Sequence, residues 1–336
     1  METERVRAPN IRDVARLAGV SYQTVSRVLN NSESIRPSTK QRVLEVIAEI
    51  GYRPNQAARA LVTSKSRTLG VLSAQTAHYG PATSLQVIEA AARAAGYMIS
   101  TTNLISSDYE SIVESVEYLI NQAVEGLVVI SPQVLVFDAI KELSVTIPIV
   151  TLDSSGRKEP RSLSVDQIAG AKAATRHLID LGHTEIVHLA GPQDWIEADA
   201  RMQGFLDEVN DADLRTHPPL LGDWTAEFGY HAGRELLPYR DFTAVFAAND
   251  QMALGLLHAF RESGLDVPRD VSVVGFDDIP EARHYWPPLT TVRQDFAQIG
   301  HRAVELLLEE ISGGTRTETA RILPKLIVRG STAFHT

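Results

Sequence analysis

Four hydrogen-bonding side chains lie close together in the stretch IRDVARLAGVSYQTVSRVLN, residues 11–30. They are Tyr22, Gln23, Ser26 and Arg27. Phenol, amide, hydroxyl and guanidinium groups can all bond to base edges, and an arginine can pair with two acceptors of one guanine. Recognition in the DNA major groove uses such side chains at the start of a short helix. The set therefore predicts a DNA-binding helix.

The flanking residues predict two helices joined by a tight turn. Gly19 breaks the first helix, Val20 packs under the turn, and Ser21 is a suitable N-cap for the second helix. The predicted inward-facing residues have helical spacing: Ile11, Val14, Ala15, Leu17, Val25, Val28 and Leu29. The alternative is an ordinary helical hairpin with a solvated face. The turn glycine, the cap and the exposed polar set together favour a helix-turn-helix.

Charge is distributed unevenly along the 336 residues. The whole chain carries −10, but residues 1–66 contain eleven Lys/Arg and six Asp/Glu, a net +5, so the remaining 270 residues carry −15. A small basic module attached to an acidic body is typical of a DNA-binding head on a domain that does not bind DNA.

A third helix and a connecting segment follow. Pro37 is suited to a first helical position, and the helix is predicted to run to about Ile50, with Val43, Leu44 and Ile47 inward and Gly51 at its end. Residues 55–61 are alanine-rich and could form one or two helical turns, which are marginal alone. A plain linker is the alternative for this segment.

Beyond residue 67, strand-length apolar runs alternate with helical stretches. The runs are TLGVLS, YMIST, EGLVVIS, IPIVTLD, EIVHLAG, AVFAAN and SVVGFDD. The predicted helices lie near 84–95, 109–121, 135–143, 167–181, 199–210, 226–236 and 250–263. Such βα alternation predicts parallel sheets covered by helices, here in two sets. The expected fold is an all-α helix-turn-helix head followed by an α/β core of two doubly wound parallel-sheet subdomains.

Several polar and aromatic residues are predicted on loops at the strand ends, where such sheets bind ligands. They are Asp153, Arg201, Trp224, Asn249 and Asp277, with Phe296 after a short crossover. Arg, Asn and Asp can bond sugar hydroxyls, and an aromatic ring can cover an apolar sugar face. Each residue has a structural alternative: the aspartates and Asn249 could cap helices, and Trp224 could be core. Their shared location favours a binding site.

Other function classes receive little support. No GxxxxGK[ST], GxSxG or HExxH motif occurs, and adjacent Asp277 and Asp278 point apart, unlike a glycosidase pair. No cofactor or metal site is expected, and the three histidines near residues 177–188 lack a carboxylate at ligand spacing. Without cysteines, a signal peptide or a membrane span, the chain is expected in the cytoplasm, associated with the nucleoid. A free sugar-binding protein would have the signal peptide and lack the head.

The motifs resemble the lac repressor family. In the head the resemblance is carried by SYQTVSRV, and in the core by SVDQIAGAKAATRHLIDLGH, HLAGP, DARMQGF, GDW, FAANDQMALG, DVSVVGFDD and PPLTTVRQDF. It implies that Tyr22, Gln23 and Arg27 contact bases, and that phosphates or neighbouring bases are held by Ser21, Thr24, Ser26 and Asn30. It also implies a hinge helix, which folds on DNA and contributes Asn55, Ala58 and Leu61, the last as a minor-groove wedge.

The resemblance also implies the domain organisation, with a core like the periplasmic sugar-binding proteins. The head would be 1–53, the hinge helix and linker 54–66, and the core 67–330, with an N-subdomain about 67–163 plus 294–322 and a C-subdomain about 164–293 plus 323–330. Arg201, Asn249, Asp277 and Asp153 would hold sugar hydroxyls, with Trp224 and Phe296 flanking the ring.

The expected activity is repression of a sugar-utilisation operon from a palindromic operator. Release would be caused by a sugar, and the resemblance of the pocket motifs GDW, AANDQMALG and QDF favours a galactoside. The resemblance of the Tyr22–Gln23 pair implies a lac-like operator half-site. The alternative is another sugar or a purine, including action as a corepressor. Trp195 and Glu197 stand where smaller residues are expected, which leaves the ligand open. No leucine heptads follow the core, so a homodimer is expected.

Overall fold

The computed structural model describes residues 9–29, 34–53, 65–74, 77–131, 133–143, 145–152, 162–215, 217–239, 241–314 and 321–335. Contacts divide the chain into two units, Met1–Ser66 and Arg67–Thr336. Five residues predicted to bind DNA or ligand lie outside the described residues: Asn30, Asn55, Ala58, Leu61 and Asp153.

The first unit contains three helices in its described part: α1 (Ile11–Leu17), α2 (Tyr22–Leu29) and α3 (Pro37–Ile50). Asn10 caps α1 in a capping box: its Oδ1 accepts the Asp13 backbone N–H, and its own backbone N–H donates to the Asp13 carboxylate. Gly19 adopts a φ of 61°, a left-handed conformation that glycine adopts without steric cost, and this supports the predicted turn.

A small apolar core joins these three helices. Its buried residues are Val14, Ala15, Ala18, Val25, Val28, Val43 and Val46. The prediction that Leu17 and Leu44 face inward was wrong, because these residues are 51% and 43% exposed. Each sits beside the buried stripe of its helix rather than on it, because adjacent helical residues point about 100° apart.

The second unit contains two sheets in its described part. The strands of the first are β1 (Thr68–Ala74), β2 (Met98–Leu104), β3 (Gly126–Ile130), β4 (Ile149–Leu152) and β5 (Ser162–Leu163). They are all parallel, in the order β2-β1-β3-β4-β5. The helices that accompany them are α4 (Tyr79–Ala94), α5 (Tyr109–Asn121) and α6 (Val134–Glu142).

The strands of the second sheet are β6 (Ile186–Ala190), β7 (Leu220–Leu221), β8 (Ala244–Ala247), β9 (Ser272–Asp277), β10 (Thr290–Arg293) and β11 (Lys325–Ile327). Their order is β11-β10-β9-β8-β6-β7, and only the edge pair β10–β11 is antiparallel within the described chain. The accompanying helices are α7 (Gln167–Asp180), α8 (Ile196–Asp211), α9 (Ala226–Leu236) and α10 (Asp250–Glu262). The last helix, α11 (Phe296–Ile311), packs on α4 and belongs with the first sheet.

The predicted fold class is confirmed: a helical head precedes two parallel-sheet α/β subdomains. Sequence reasoning missed α11 and four short strands (β5, β7, β10 and β11). The predicted starts of α4 and α8 were several residues too late. These helices begin at Tyr79 and Ile196, and the residues before them, His78 and Trp195, form no side-chain cap that would mark a helix start in the sequence. Among the described helices, none is both long and apolar enough to cross a lipid bilayer.

Candidate functional site: a cleft between two sheets and an exposed helix

A cavity of about 370 Å³ lies in the second unit, at the carboxyl ends of strands from both sheets. The first sheet contributes Ile130 and Leu152, and the second contributes Asp277. The cavity volume falls in the range of ligand pockets, roughly 300–1,000 Å³. Its position is where doubly wound sheets bind ligands.

Five of the six predicted ligand residues are described, and all five line this cavity: Arg201, Trp224, Asn249, Asp277 and Phe296. The prediction that Arg201 lies on a loop was wrong. Arg201 is in the second turn of α8, because that helix starts at Ile196. Phe296 is the first residue of α11, and its ring packs edge-on against Tyr79 at 5.8 Å.

Arg201 is the central cation of the cleft and is 4% exposed. Its Nε donates to Gln167 Oε1 at 2.9 Å, Nη1 donates to the Ala248 carbonyl, and Nη2 donates to Asp277 Oδ1 at 3.3 Å. The guanidinium also stacks 3.9 Å from the centroid of the Phe276 ring. Three of its five N–H groups are thus used, and the plane of the guanidinium is fixed.

Two glutamines complete a closed ring of hydrogen bonds. Gln167 Nε2 donates to Gln294 Oε1 at 2.7 Å, and Gln294 Nε2 donates to Asp277 Oδ1 at 2.6 Å. Gln167 is the first residue of α7, and Gln294 follows β10 directly. Each lies where the chain passes between the two subdomains. The ring therefore ties two crossovers to the charged pair of Arg201 and Asp277.

Burial sets the electrostatics of this pair. It lowers the pKa of Arg201, against the attraction of Asp277. It raises the pKa of Asp277, while Arg201 and Gln294 oppose the shift. Buried charges are costly unless paired and hydrogen-bonded, and here both conditions are met. The cleft thus offers a fixed cation beside a carboxylate, both suited to hydroxyl groups.

Two residues of the cleft wall adopt left-handed backbone conformations. Trp224 has a φ of 72° and Asp277 a φ of 107°. Such values are unfavourable for a bulky residue and concentrate at binding sites. The Trp224 ring lies over Gly191, where a Cβ atom would be 2.2 Å from the ring, so a side chain there would displace the tryptophan.

Asn249 has the structural role of a helix cap, the alternative to ligand binding. Its Oδ1 accepts the Met252 backbone N–H at 2.8 Å as the N-cap of α10, and its Nδ2 donates to the Trp224 carbonyl at 2.9 Å. Asn249 therefore fixes Trp224, and one N–H of its amide is left for another acceptor. Asp277 and Asp278 do point apart: Asp278 binds Arg293 and Arg329.

The cleft also contains residues that sequence reasoning did not select. Gln167, Gln294, His78 and Tyr79 all line the cavity. The signal for His78 and Tyr79 was present, because they follow β1, and the end of a parallel strand is where ligands bind. No group of three or more potential metal-ligating side chains occurs in the described part of the chain.

The second candidate surface is the outer face of α2. Tyr22 is 58% exposed, and Gln23 and Arg27 are exposed too. Ser21 has the predicted capping role: its Oγ accepts the Thr24 backbone N–H at 3.2 Å and lies 3.0 Å from Thr24 Oγ1. Packing of Val25 and Val28 fixes the helix so that this polar face remains outward.

Comparison with known proteins identifies both parts of the chain. Residues 10–55 match the model for bacterial regulatory proteins of the lacI family, and residues 175–332 match a periplasmic binding protein-like domain. The lactose operon repressor of Escherichia coli (strain K12) is 34% identical over 328 residues, which cover 96% of this chain and 90% of the repressor. This chain belongs to the lac repressor family.

Solved structures of family members support the same family assignment. A lac repressor dimer bound to operator and the anti-inducer ONPF superimposes with a TM-score of 0.89 at 32% identity, covering 97% of this chain and 100% of that one. A complex of the transcriptional regulator CelR with cellobiose gives 0.68 at 32% identity, covering 96% and 99%. The resemblance to the lac repressor family is thereby confirmed, and the chain is a DNA-binding transcriptional regulator.

Proposed function

We propose that this lac repressor family member represses a sugar-utilisation operon and is released from its operator by a sugar bound in the cleft. The observation that carries the proposal is the buried pair of Arg201 and Asp277, held in a hydrogen-bonded ring and flanked by Trp224 and Phe296. Fixed charged groups bond hydroxyls in defined directions, and aromatic faces cover the apolar C–H surface of a sugar.

On the DNA side, the exposed face of α2 enters the major groove. Tyr22 and Gln23 contact base edges, and Arg27 contacts a base, most often a guanine. Phosphates or neighbouring bases are held by Ser21, Thr24, Ser26 and Asn30. Asn55, Ala58 and Leu61 contact the operator from the hinge segment. The Tyr–Gln pair favours a lac-like half-site.

The proposed assembly is a homodimer formed through the core, residues 67–330, with the DNA-binding head at 1–53 and the hinge helix and linker at 54–66. Two identical heads match a palindrome, because a two-fold axis in the protein is mirrored in the operator. The similarity of this chain to a lac repressor that was solved as a dimer bound to operator supports the same arrangement.

The proposed ligand is a galactoside. Arg201, Asn249, Asp277 and Asp153 would bond its hydroxyls. The support is the similarity of GDW, AANDQMALG and QDF to the founding member of the family, together with 34% identity to the lactose operon repressor.

Ligand and operator communicate through the orientation of the two subdomains. A sugar that contacts both sheets favours one orientation, and in that orientation the hinge segments lose the packing that supports operator binding. A coupling of roughly 1–3 kcal/mol per site is enough for such control. No catalytic step is needed, and we propose that the chain is not an enzyme.

A second candidate is regulation by another ligand, a different sugar or a purine, including action as a corepressor. The observation that favours it is the presence of Trp195 and Glu197 in the cavity lining. These large side chains stand at positions where the resemblance to the lac repressor predicts smaller residues. The similarity to a CelR–cellobiose complex is consistent with a non-galactoside sugar.

Fluorescence anisotropy of a labelled lac-like palindrome tests the proposal. The purified chain is titrated onto the DNA alone and with galactosides, glucosides, pentoses or purines. Tight binding that is released by galactosides is expected. Release by a glucoside or a pentose, but not by a galactoside, would contradict the proposal that the ligand is a galactoside. Tighter DNA binding in the presence of a purine would favour a corepressor. If no ligand changes DNA binding, the assignment of the pocket is contradicted.

A further inference from the structure

Three side chains lie together at the amino edge of the first sheet, the edge opposite to the cleft. They are Arg67, Tyr97 and Glu125, and each directly precedes a strand. These strands are neighbours in the order β2-β1-β3, and their register sets Tyr97 beside Arg67 and Glu125 beside Thr68. Arg67 is the first residue of the second unit, so we name the three residues the entry cluster.

The carboxylate of Glu125 holds the entry cluster together. Its Oε1 accepts the Arg67 backbone N–H at 2.7 Å, and its Oε2 accepts the Tyr97 hydroxyl at 3.3 Å. The Arg67 guanidinium lies over the Tyr97 ring, 5.9 Å from its centroid. Hydrogen bonds to an ionised acceptor are stronger than neutral ones. One carboxylate therefore joins the segments that enter three neighbouring strands.

The bond to Arg67 fixes the junction between the two units. The N–H that Glu125 accepts belongs to the peptide group between Ser66 and Arg67, where the chain passes from one unit to the other. Arg67 has a φ of 48°, a left-handed conformation that is uncommon for a residue with a side chain. Its carbonyl accepts the Met98 N–H at 2.8 Å. The sheet thus holds one side of Arg67, and Glu125 holds the side that leads to the head.

Two packed helices begin at the cleft and extend along the first sheet. Tyr79, the first residue of α4, contacts Phe296, the first residue of α11, and both line the cavity. Each helix has 16 residues and is about 24 Å long. A Cβ atom at Gly300 would lie 2.4 Å from Val87 Cγ1, so the two helices approach closely. Packing of this density makes them move together.

The far ends of both helices lie next to the entry cluster. α4 ends at Ala94, three residues before Tyr97. A Cβ atom at Gly126 would lie 2.8 Å from Leu307 Cδ1, so α11 packs directly on the residue after Glu125. The cleft and the entry cluster are therefore connected by the same pair of helices. A shift of this pair at the cleft changes the surroundings of the Glu125 carboxylate.

We propose that the entry cluster sets the direction in which the chain leaves the core towards the DNA-binding head, and that Glu125 is a positioning residue for operator binding. This inference rests on the proposed control of operator binding by a sugar and deepens it. Operator binding needs the junction held by Glu125. A sugar in the cleft moves α4 and α11, and the entry cluster carries this change to the head.

Fluorescence anisotropy of the full chain on a lac-like palindrome and on unrelated DNA of equal length tests the proposal. Glu125→Leu removes both acceptors. Operator affinity should fall about tenfold, the scale of one hydrogen bond to a charged group, while affinity for unrelated DNA stays unchanged. Loss of an acidic group by itself favours binding to DNA. Electrostatics alone therefore predicts the opposite change.

Three further variants keep the test interpretable. Glu125→Gln keeps an acceptor for the Arg67 N–H and an amide that bonds the Tyr97 hydroxyl, so it should restore most of the operator affinity. Tyr97→Phe removes one hydroxyl and keeps the ring, so it should cause a smaller loss even if Glu125→Leu fails to fold. Glu235→Leu is the matched control, because it removes the same charge from an exposed position on α9. It should change neither affinity.

The response to ligand is measured with methyl β-galactoside and cellobiose as probes. Release of Glu125→Leu from the operator should be a smaller fold-change than release of the parent, because the variant has already lost the held junction. An unchanged fold-release would overturn the role of the entry cluster in the response.

The outcomes separate the two proposals. A loss confined to the operator in Glu125→Leu or Tyr97→Phe, with recovery in Glu125→Gln, supports the entry cluster. Equal losses on both DNAs, or parent-like operator affinity in Glu125→Leu and Tyr97→Phe, overturn it while the sugar-responsive function stands. A parent that binds the palindrome but is released by no sugar overturns the proposed function, and the operator affinities of the variants still decide the role of Glu125.

Discussion

Gln167 Oε1 accepts a 2.9 Å hydrogen bond from Arg201 Nε, which joins the first residue of α7 to the guanidinium at the centre of the cleft. The same glutamine donates to Gln294, 127 residues away in the chain. One side chain therefore connects two crossovers between the subdomains with the charged group proposed to bind ligand. Such a connection is a structural basis for coupling between ligand and subdomain orientation.

Replacing Gln167 should destabilise the core. Gln167→Met leaves Arg201 Nε without its acceptor and Gln294 Oε1 without its donor, so we expect a loss of about 1–3 kcal/mol in the free energy of unfolding. Gln167→Glu keeps an acceptor for Arg201 and should lose less. Urea denaturation measures both, with Gln122→Met at an exposed position as the control. Equal stabilities of Gln167→Met and the control would contradict the role of the ring.

Replacing Arg27 should weaken specific DNA binding. Arg27 is exposed on the proposed recognition face of α2, and loss of a bidentate contact to a base costs roughly 1–3 kcal/mol. Arg27→Ala should therefore lower affinity for the operator much more than affinity for unrelated DNA. Arg269→Ala removes the same charge from an exposed site in the other unit and should change neither. Equal losses on both DNAs would limit Arg27 to phosphate contacts.

A side chain at Gly19 should loosen the head. No atom lies within 4 Å of a Cβ built at this residue, so the cost of Gly19→Ala comes from its φ of 61° alone, roughly 1–2 kcal/mol. Hydrogen exchange of α1 and α2 amides in the full chain should become faster. Gly19→Asn is the control, because asparagine adopts this conformation more readily. Unchanged exchange in the alanine variant would contradict the strain argument.

His188 should make unfolding depend on pH. Its ring is fully buried between Phe205 and Phe246, and Nδ1 donates to the Phe246 carbonyl at 2.9 Å. Burial is the main cause that lowers its pKa to about 4. Above pH 6.5 the imidazole is neutral in both states. As the pH falls from 6.5 towards 4, only the unfolded chain binds the proton, so stability is lost, by about 3 kcal/mol in total.

The measurement is the free energy of unfolding as a function of pH. In His188→Gln the slope between pH 6.5 and 4 should be smaller than in the parent by up to about 1.4 kcal/mol per pH unit. His231→Gln, at a position where the side chain is 62% exposed, should keep the parent slope. Parallel curves for the parent and His188→Gln would show that His188 does not contribute.

The head could be predicted from sequence because its signals are local. Gly19, Ser21 and Pro37 each fix a turn or a helix start within a few residues. The failures at Leu17 and Leu44 have a tertiary cause: helical spacing marks candidates for burial, but the partner helices decide how wide a stripe they cover. The identity of the neighbours cannot be obtained from periodicity.

The cleft was predicted in part. Arg201, Trp224 and Asp277 are distinctive residue types and line one cavity as expected, although only Asp277 ends a strand that was predicted: Arg201 lies in α8, and Trp224 follows the missed strand β7. Gln167 and Gln294 were missed because glutamine is common on surfaces and their contact depends on the packing of two crossovers. The structural role of Asn249 was undecidable from sequence, because one amide serves a helix cap and a binding site equally well.

The most direct test of the account is whether operator and sugar affect each other reciprocally. Sugar affinity of the full chain should be measured by titration calorimetry with and without saturating operator, and operator affinity by anisotropy with and without saturating sugar. Because the coupling between two binding sites is reciprocal, both affinities should fall by the same factor, about 5- to 150-fold. Equal sugar affinity in the presence and absence of operator would contradict the proposal that sugar controls DNA binding.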